Sequence, residues 1–178
     1  MFDFSAFFAQ YGALFAQGTL DTLIMTCVAT LLAYVIGIPL GILLVVTSPN
    51  GLRPNRVVST IVGWIVNIGR SIPFIILLVA LIPFTRFIVG TSLGVPGAIV
   101  PLVVTAAPFA ARMVEQSLEE TDGGLVEAAQ SFGASTWQIV WKVYLKETLP
   151  SLVRGIAITF VTLFGYSAMA GTVGAGGL

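Results

Sequence analysis

Ser167 sits in the run Gly165-Tyr166-Ser167-Ala168-Met169, which has the outline of a nucleophile elbow except that Met169 stands where the second glycine belongs. A nucleophilic serine needs a base to take its proton, and the chain contains no histidine. The same absence, with Cys27 as the sole cysteine, removes the commonest zinc ligands and any intrachain disulfide. A phosphate-binding Gly-x-x-x-x-Gly-Lys loop is missing, and the only lysines are Lys142 and Lys146, so the chain alone is not expected to hydrolyse ATP. The carboxylates fall at Asp3, at Asp21 on the very edge of the first apolar stretch and between Glu115 and Glu147, away from the span interiors where a proton relay would need them. Nor do two related halves appear, as secondary carriers commonly show. The expectation is no enzyme, no cofactor and no metal, with Ser167 a helix-packing or pathway-facing hydroxyl.

The elements that would position such residues are written in the charge pattern. Of 178 residues 57% are hydrophobic and 9% charged, against about 25% charged in an ordinary soluble domain. Eight basic residues balance eight acidic ones, so no net field draws in nucleic acid. About 20 apolar residues suffice to cross the hydrocarbon core, so charge-free intervals map the spans. They predict spans near Leu20 to Val46, from Val57 to about Pro83 with Arg70 inside it, from about Val95 to Ala111 with kinks at Pro96, Pro101 and Pro108, and from Leu152 to about Thr172. The expected fold is an all-α, polytopic transmembrane bundle with four spans. Basic residues in short loops stay on the cytoplasmic side. An outside N-terminus places Arg53, Arg56, Arg112, Lys142, Lys146 and Arg154 there and leaves only Arg86 outside. Phe4, Phe7, Phe8, Tyr11 and Phe15 recur at helical spacing, so residues 1–17 are expected to lie along the outer surface, ahead of a membrane domain over 18–178.

The polar segment at about 122–147 carries two short helices. After Asp122-Gly123-Gly124, the residues Leu125, Ala128, Ala129 and Phe132 follow the i, i+3, i+4, i+7 pattern of one apolar face, opposite Glu127, Gln130 and Ser131. Gly133 stands where a helix commonly ends in a left-handed residue. Ser135-Thr136-Trp137-Gln138 then has the form of a capping box. On the second helix Gln138, Lys142 and Lys146 share a face, flanked by Trp137, Val140, Val143 and Tyr144. Geometry alone leaves open whether this pair is a surface connector or a docking element.

The residues Glu127-Ala128-Ala129, Gly133, Ile139 and Leu149-Pro150 closely resemble the EAA loop of ATP-binding-cassette (ABC) import permeases. The resemblance extends through Asn67-Ile68-Gly69-Arg70-Ser71-Ile72-Pro73-Phe74, Ile82-Pro83-Phe84-Thr85-Arg86, Ala107-Pro108-Phe109 and Gly165-Tyr166-Ser167-Ala168-Met169, which together look like the methionine-import branch. It implies a type I importer permease of the bacterial inner membrane. Its partners would be a second copy of itself, an ATPase subunit seated on the loop, an external substrate-binding protein and membrane lipid. Similar proteins continue past the glycine-rich run at Gly174 to Gly177 into a fifth span, so the chain is expected to be a C-terminally truncated piece.

Arg70 and Met169 are the sharper pathway candidates, with Ser71, Tyr166 and Ser167 beside them. A charge in the middle of a span costs roughly 2.5 to 3.5 kcal/mol, so Arg70 must face something polar. Pro73 lacks the N–H that would bond the Gly69 carbonyl, and Arg70 serves either that broken backbone or a water-filled pathway. Met169, a flexible thioether among small residues, suits a gate as well as ordinary packing. The competing reading of the whole chain is a non-transporting membrane scaffold or pore subunit whose helix pair binds some other partner.

Overall fold

The computed structural model describes the backbone from Phe4 to Gly177 and the side chains from Gln10 to Gly177. Its elements are α1 (Phe4–Thr47), α2 (Arg56–Ser71), α3 (Phe74–Ala80), α4 (Ile82–Val89), α5 (Gly94–Glu119), α6 (Gly123–Ser131), α7 (Thr136–Ile139), a π-helical turn (Val140–Tyr144), α8 (Leu145–Glu147) and α9 (Leu149–Gly171). Among the described residues there is no strand, and α1, α5 and α9 are each long and apolar enough to cross a membrane. The polytopic helical bundle expected from the charge pattern is therefore present.

α1 has 44 residues, which at 1.5 Å per residue makes about 66 Å, roughly twice the thickness of a hydrocarbon core. The helix runs unbroken from Phe4 into the span, with no break near residue 17. Tyr11 and Phe15 are partly exposed; Phe4, Phe7 and Phe8 of the expected aromatic stripe lie outside the described side chains. Every fourth residue from Met25 onward, namely Ala29, Ala33, Gly37, Gly41 and Val45, is buried. Residues four apart form one ridge of a helix, and small ones let backbones approach closely. That ridge lies on α5, where Ala110, Ala111 and Val114 are fully buried. A Cβ on Gly41 would stand 2.7 Å from the Ala111 carbonyl oxygen and 2.6 Å from Val114 Cγ1, and one on Gly37 would stand 2.7 Å from Ala110 Cβ.

α5 is the hub: it packs on α1, α2, α3, α4 and α9. It continues eight residues past the expected end of its span at Ala111, so Arg112, Glu115 and Glu119 are helical and not part of a loop. The expected second span is the largest departure. The chain breaks at Ile72 and Pro73, and the α2 and α3 axes meet at 100°. Pro73 cannot donate to the preceding turn, and Ile72, the residue before it, is pushed to φ −85, ψ 124. Apolar composition reported that this stretch is buried in lipid or protein without reporting its direction.

Polar side chains in the bundle are mostly satisfied inside their own helix. Thr26, Thr30, Thr47, Thr105, Thr159 and Thr162 each donate to the carbonyl four residues earlier, at 2.7 to 2.9 Å. Between helices, Tyr34 on α1 and Thr159 on α9 share a hydrogen bond of 3.2 Å, and Phe74 on α3 stacks on Tyr166 on α9 with centroids 4.8 Å apart.

Substituting Gly41 by Ala should overpack the α1–α5 contact and cost about 1 to 3 kcal/mol. The check is the thermal unfolding midpoint in detergent, where Gly12→Ala, with nothing within 4 Å of its new Cβ, should leave the midpoint unchanged or raise it.

Candidate functional site: a cavity between helices and a surface hairpin

The hairpin is built by local capping at each end. Asp122 Oδ1 accepts from the Gly124 N–H at 2.8 Å and starts α6. At the other end Gly133, at φ +78, lets its own N–H reach the Gln130 carbonyl at 2.9 Å and the Ala134 N–H reach Ala129 at 3.0 Å. This pair of bonds is the Schellman arrangement that closes a helix. Ser135 Oγ then accepts from the Gln138 N–H at 3.3 Å, while Gln138 Oε1 accepts from the Ser135 N–H at 2.8 Å. The expected glycine bend and capping box are both in place.

Beyond Ile139 the helix widens into the π turn, whose i to i+5 bonding breaks the 3.6-residue period. Ile139, Val140 and Tyr144 are buried in the same core as α1 and α5, and burial raises the Tyr144 phenol pKa, keeping it neutral. The apolar flank expected on the second helix is divided: Trp137 is 68% exposed and sits edge-to-face against Trp141 at 5.3 Å. Gln138, Lys142 and Lys146 are all exposed.

On α6 the sequence found the apolar stripe but not what covers it. Val126 and Ala129 pack on the core, whereas Leu125, Ala128 and Phe132 face outward. Phe132, at 91%, is the most exposed large apolar side chain among the described residues. Of the remaining hairpin candidates, Glu127 is exposed on α6, Ile139 is a buried anchor, and Leu149 and Pro150 are exposed at the first turn of α9.

A second feature lies where α2 ends against the middle of α5 and α9. Arg70, Thr105, Phe109, Thr162, Leu163 and Tyr166 line a cavity of about 250 Å³, together with Ile72, Ala106 and Thr159. The Arg70 guanidinium lies 6.0 Å from the Phe109 ring centroid. Of the five pathway candidates, Arg70 and Tyr166 reach this cavity. Ser71 is exposed on the same turn as Arg70 and donates to the Asn67 carbonyl at 2.8 Å. Ser167 is buried and donates to the Phe164 carbonyl at 2.7 Å, and Met169 is half exposed, away from the cavity lining.

Residues 37–178 match the protein family described as the binding-protein-dependent transport system inner membrane component. The chain belongs to that family. The inner membrane component is similar to the D-methionine transport system permease protein MetI of Escherichia coli K12, at 57% identity over 89% of this chain and 73% of that protein. It is similar also to the protein of that name from Yersinia pestis, at 56% identity over 89% and 73%. It matches a solved structure of the MetNI methionine ABC transporter in an inward-facing conformation with a TM-score of 0.93, at 55% identity over 94% of this chain and 78% of that one. An amino acid ABC transporter at 18% identity, with a TM-score of 0.77 over 98% and 78% of the two chains, shares the fold.

Several functional candidates of this inner membrane component escaped the sequence reading. Arg112 donates through Nη2 to Asn67 Oδ1 at 2.9 Å and pairs through Nη1 with Glu115, tying α2 to α5 beside the cavity. Thr105 and Thr162 are polar positions inside apolar runs, a signal present in the sequence but weak, since most such threonines only bond their own helix.

Gly133→Val places a branched residue in a left-handed conformation with open space around it, so the cost of about 1 to 2 kcal/mol is backbone strain alone. Amide exchange over Phe132 to Ile139 is expected to quicken in this variant. Gly123→Ala, at an ordinary φ, should leave it unchanged.

Proposed function

We propose that the protein is the permease subunit of an ABC importer that carries methionine across the bacterial inner membrane, acting as a pair of identical copies. Substrate arrives from an external binding protein, and a separate ATPase subunit, seated on the hairpin α6–α8, supplies the energy. The observation that carries this reading is the outward face of α6, where Leu125, Ala128 and Phe132 project from the bundle although their spacing is that of a buried stripe. The relatives named above are methionine permeases, and the proposed coupling residues are Glu127, Ala128, Ala129, Gly133 and Ile139 on the hairpin, with Leu149 and Pro150 at the first turn of α9.

The hairpin suits a lever because its two ends differ. Its outer end is a rigid glycine bend with an exposed aromatic, and its inner end is fixed by Ile139, Val140 and Tyr144 in the core shared with α1 and α5. Closure of the ATPase on nucleotide would push the outer end, and the inner end would pass the displacement to α5 and α9, which flank the cavity. The distribution of basic residues supports an outside N-terminus, with the first turns of α1 at the outer surface and the hairpin in the cytoplasm. Alternation between inward-open and outward-open arrangements is the rigid-body rearrangement such packing allows. Met169, half exposed on α9 among Ala168, Ala170 and Gly171, is the proposed gate element.

Phe132→Ala should lower co-purification of the ATPase roughly tenfold or more, the loss usual for a central aromatic anchor, and abolish ATP-driven methionine uptake into proteoliposomes. Undiminished co-purification would take the docking role away from the hairpin. Met169→Ala is expected to leak labelled methionine without ATP; a sealed variant would return Met169 to a packing role.

A further inference from the structure

Arg70 is a charge set inside an apolar stretch, and its field reaches Glu115 on α5. It stands one residue before the end of α2, facing the cavity, and among the described residues it has no ion-pair or hydrogen-bond partner. Arg112, by contrast, has both Asn67 and Glu115. Arg70 is exposed at the cavity, and its guanidinium presents five donors in a planar fork whose natural complement is a carboxylate. No carboxylate of this chain lines the cavity.

The hydroxyls across the cavity have the opposite character. Thr105 spends its single proton on the Pro101 carbonyl at 2.8 Å, and Thr162 spends its own on the Ile158 carbonyl at 2.9 Å. Each oxygen is left with lone pairs only, so it accepts and cannot donate. Such a pair suits an ammonium and offers nothing to a second anion. Between the two ends the wall is apolar, formed by Phe109 and Leu163, and the Tyr166 ring is held flat by its stack on Phe74. The volume of about 250 Å³ lies below the roughly 300 Å³ at which pockets for drug-sized ligands begin.

We propose that this cavity is a transit site for a zwitterionic α-amino acid with an apolar side chain, its carboxylate on Arg70, its ammonium on the Thr105 and Thr162 oxygens and its side chain against Phe109 and Leu163. This rests on the permease reading and adds to it a site of stated polarity inside the bundle. Phe109 and Leu163 give an apolar side chain its wall, and the Tyr166 hydroxyl is the one further donor at the lining.

The test uses the full permease–ATPase complex in nanodiscs without its binding protein, with radiolabelled L-methionine as the probe at equilibrium. Saturable binding is expected. Unlabelled methionine should compete, whereas methioninol, which lacks the carboxylate, should not. Arg70→Gln should weaken binding at least about tenfold, as loss of a charge-assisted bond does, and Arg70→Lys should restore part of it. Both variants are first required to retain the ATPase on purification. Equal binding by Arg70→Gln, or competition by methioninol as strong as by methionine, would overturn the site. If the same wild-type complex, reconstituted in proteoliposomes, takes up methionine when the binding protein is supplied yet shows no saturable binding in nanodiscs, the site is overturned and the permease reading stays intact. Absence of uptake under those conditions would instead overturn the permease reading on which the site rests.

Discussion

Everything in this bundle hangs on how closely α1 lies against α5. The ridge of Ala29, Ala33, Gly37 and Gly41 brings the two backbones near enough that a single added methyl at Gly41 meets a main-chain oxygen. In a lipid environment apolar area alone gives helices little reason to associate, because the acyl chains are as apolar as the side chains they replace. What distinguishes this contact is its fit. Once α5 is fixed, it offers its other faces to α2, to the short helices α3 and α4 and to α9, and the gap left between α2, α5 and α9 is the cavity.

The sequence disclosed features governed by local rules. Charge-free intervals located α1, α5 and α9. The glycine at 133 and the Ser135–Gln138 pair located the hairpin bend, since each of these depends on residues within one turn of one another. Features that depend on distant partners were not disclosed. A stretch from Val57 to Pro83 has the composition of a span, yet Pro73 folds it back, and composition has no direction. The 44-residue length of α1 was obscured because the aromatic residues at helical spacing in its first turns read as a separate interfacial segment.

The candidate site was legible in the same uneven way. Arg70 stands out as the lone charge in an apolar stretch, and the exposed loop residues Glu127 and Ala128 stand out through resemblance. The stripe of Leu125, Ala128 and Phe132 was visible as apolar, but periodicity cannot say whether the surface that covers it belongs to the same chain. Thr105 and Thr162 gave only a weak signal because their meaning lies in a lone pair left over after a backbone bond, which is a matter of rotamer and not of residue type. The π turn likewise leaves no mark in composition; Val140 and Tyr144 within it are buried, whereas Trp137, in the α-helical turn before it, is exposed.

The hydroxyls that bond back to their own helices bear on biogenesis. A helix whose threonines are already satisfied carries no debt of unpaired donors into the bilayer. Thr26, Thr30 and Thr47 on α1, Thr105 on α5, and Thr159 and Thr162 on α9 are in this position before any neighbour arrives. Each span can thus leave the insertion machinery as a finished unit, and lateral assembly becomes a separate, later step that selects among partners by shape. Polar bonds between helices, such as that from Tyr34 to Thr159, then serve to set register after docking instead of driving the helices together.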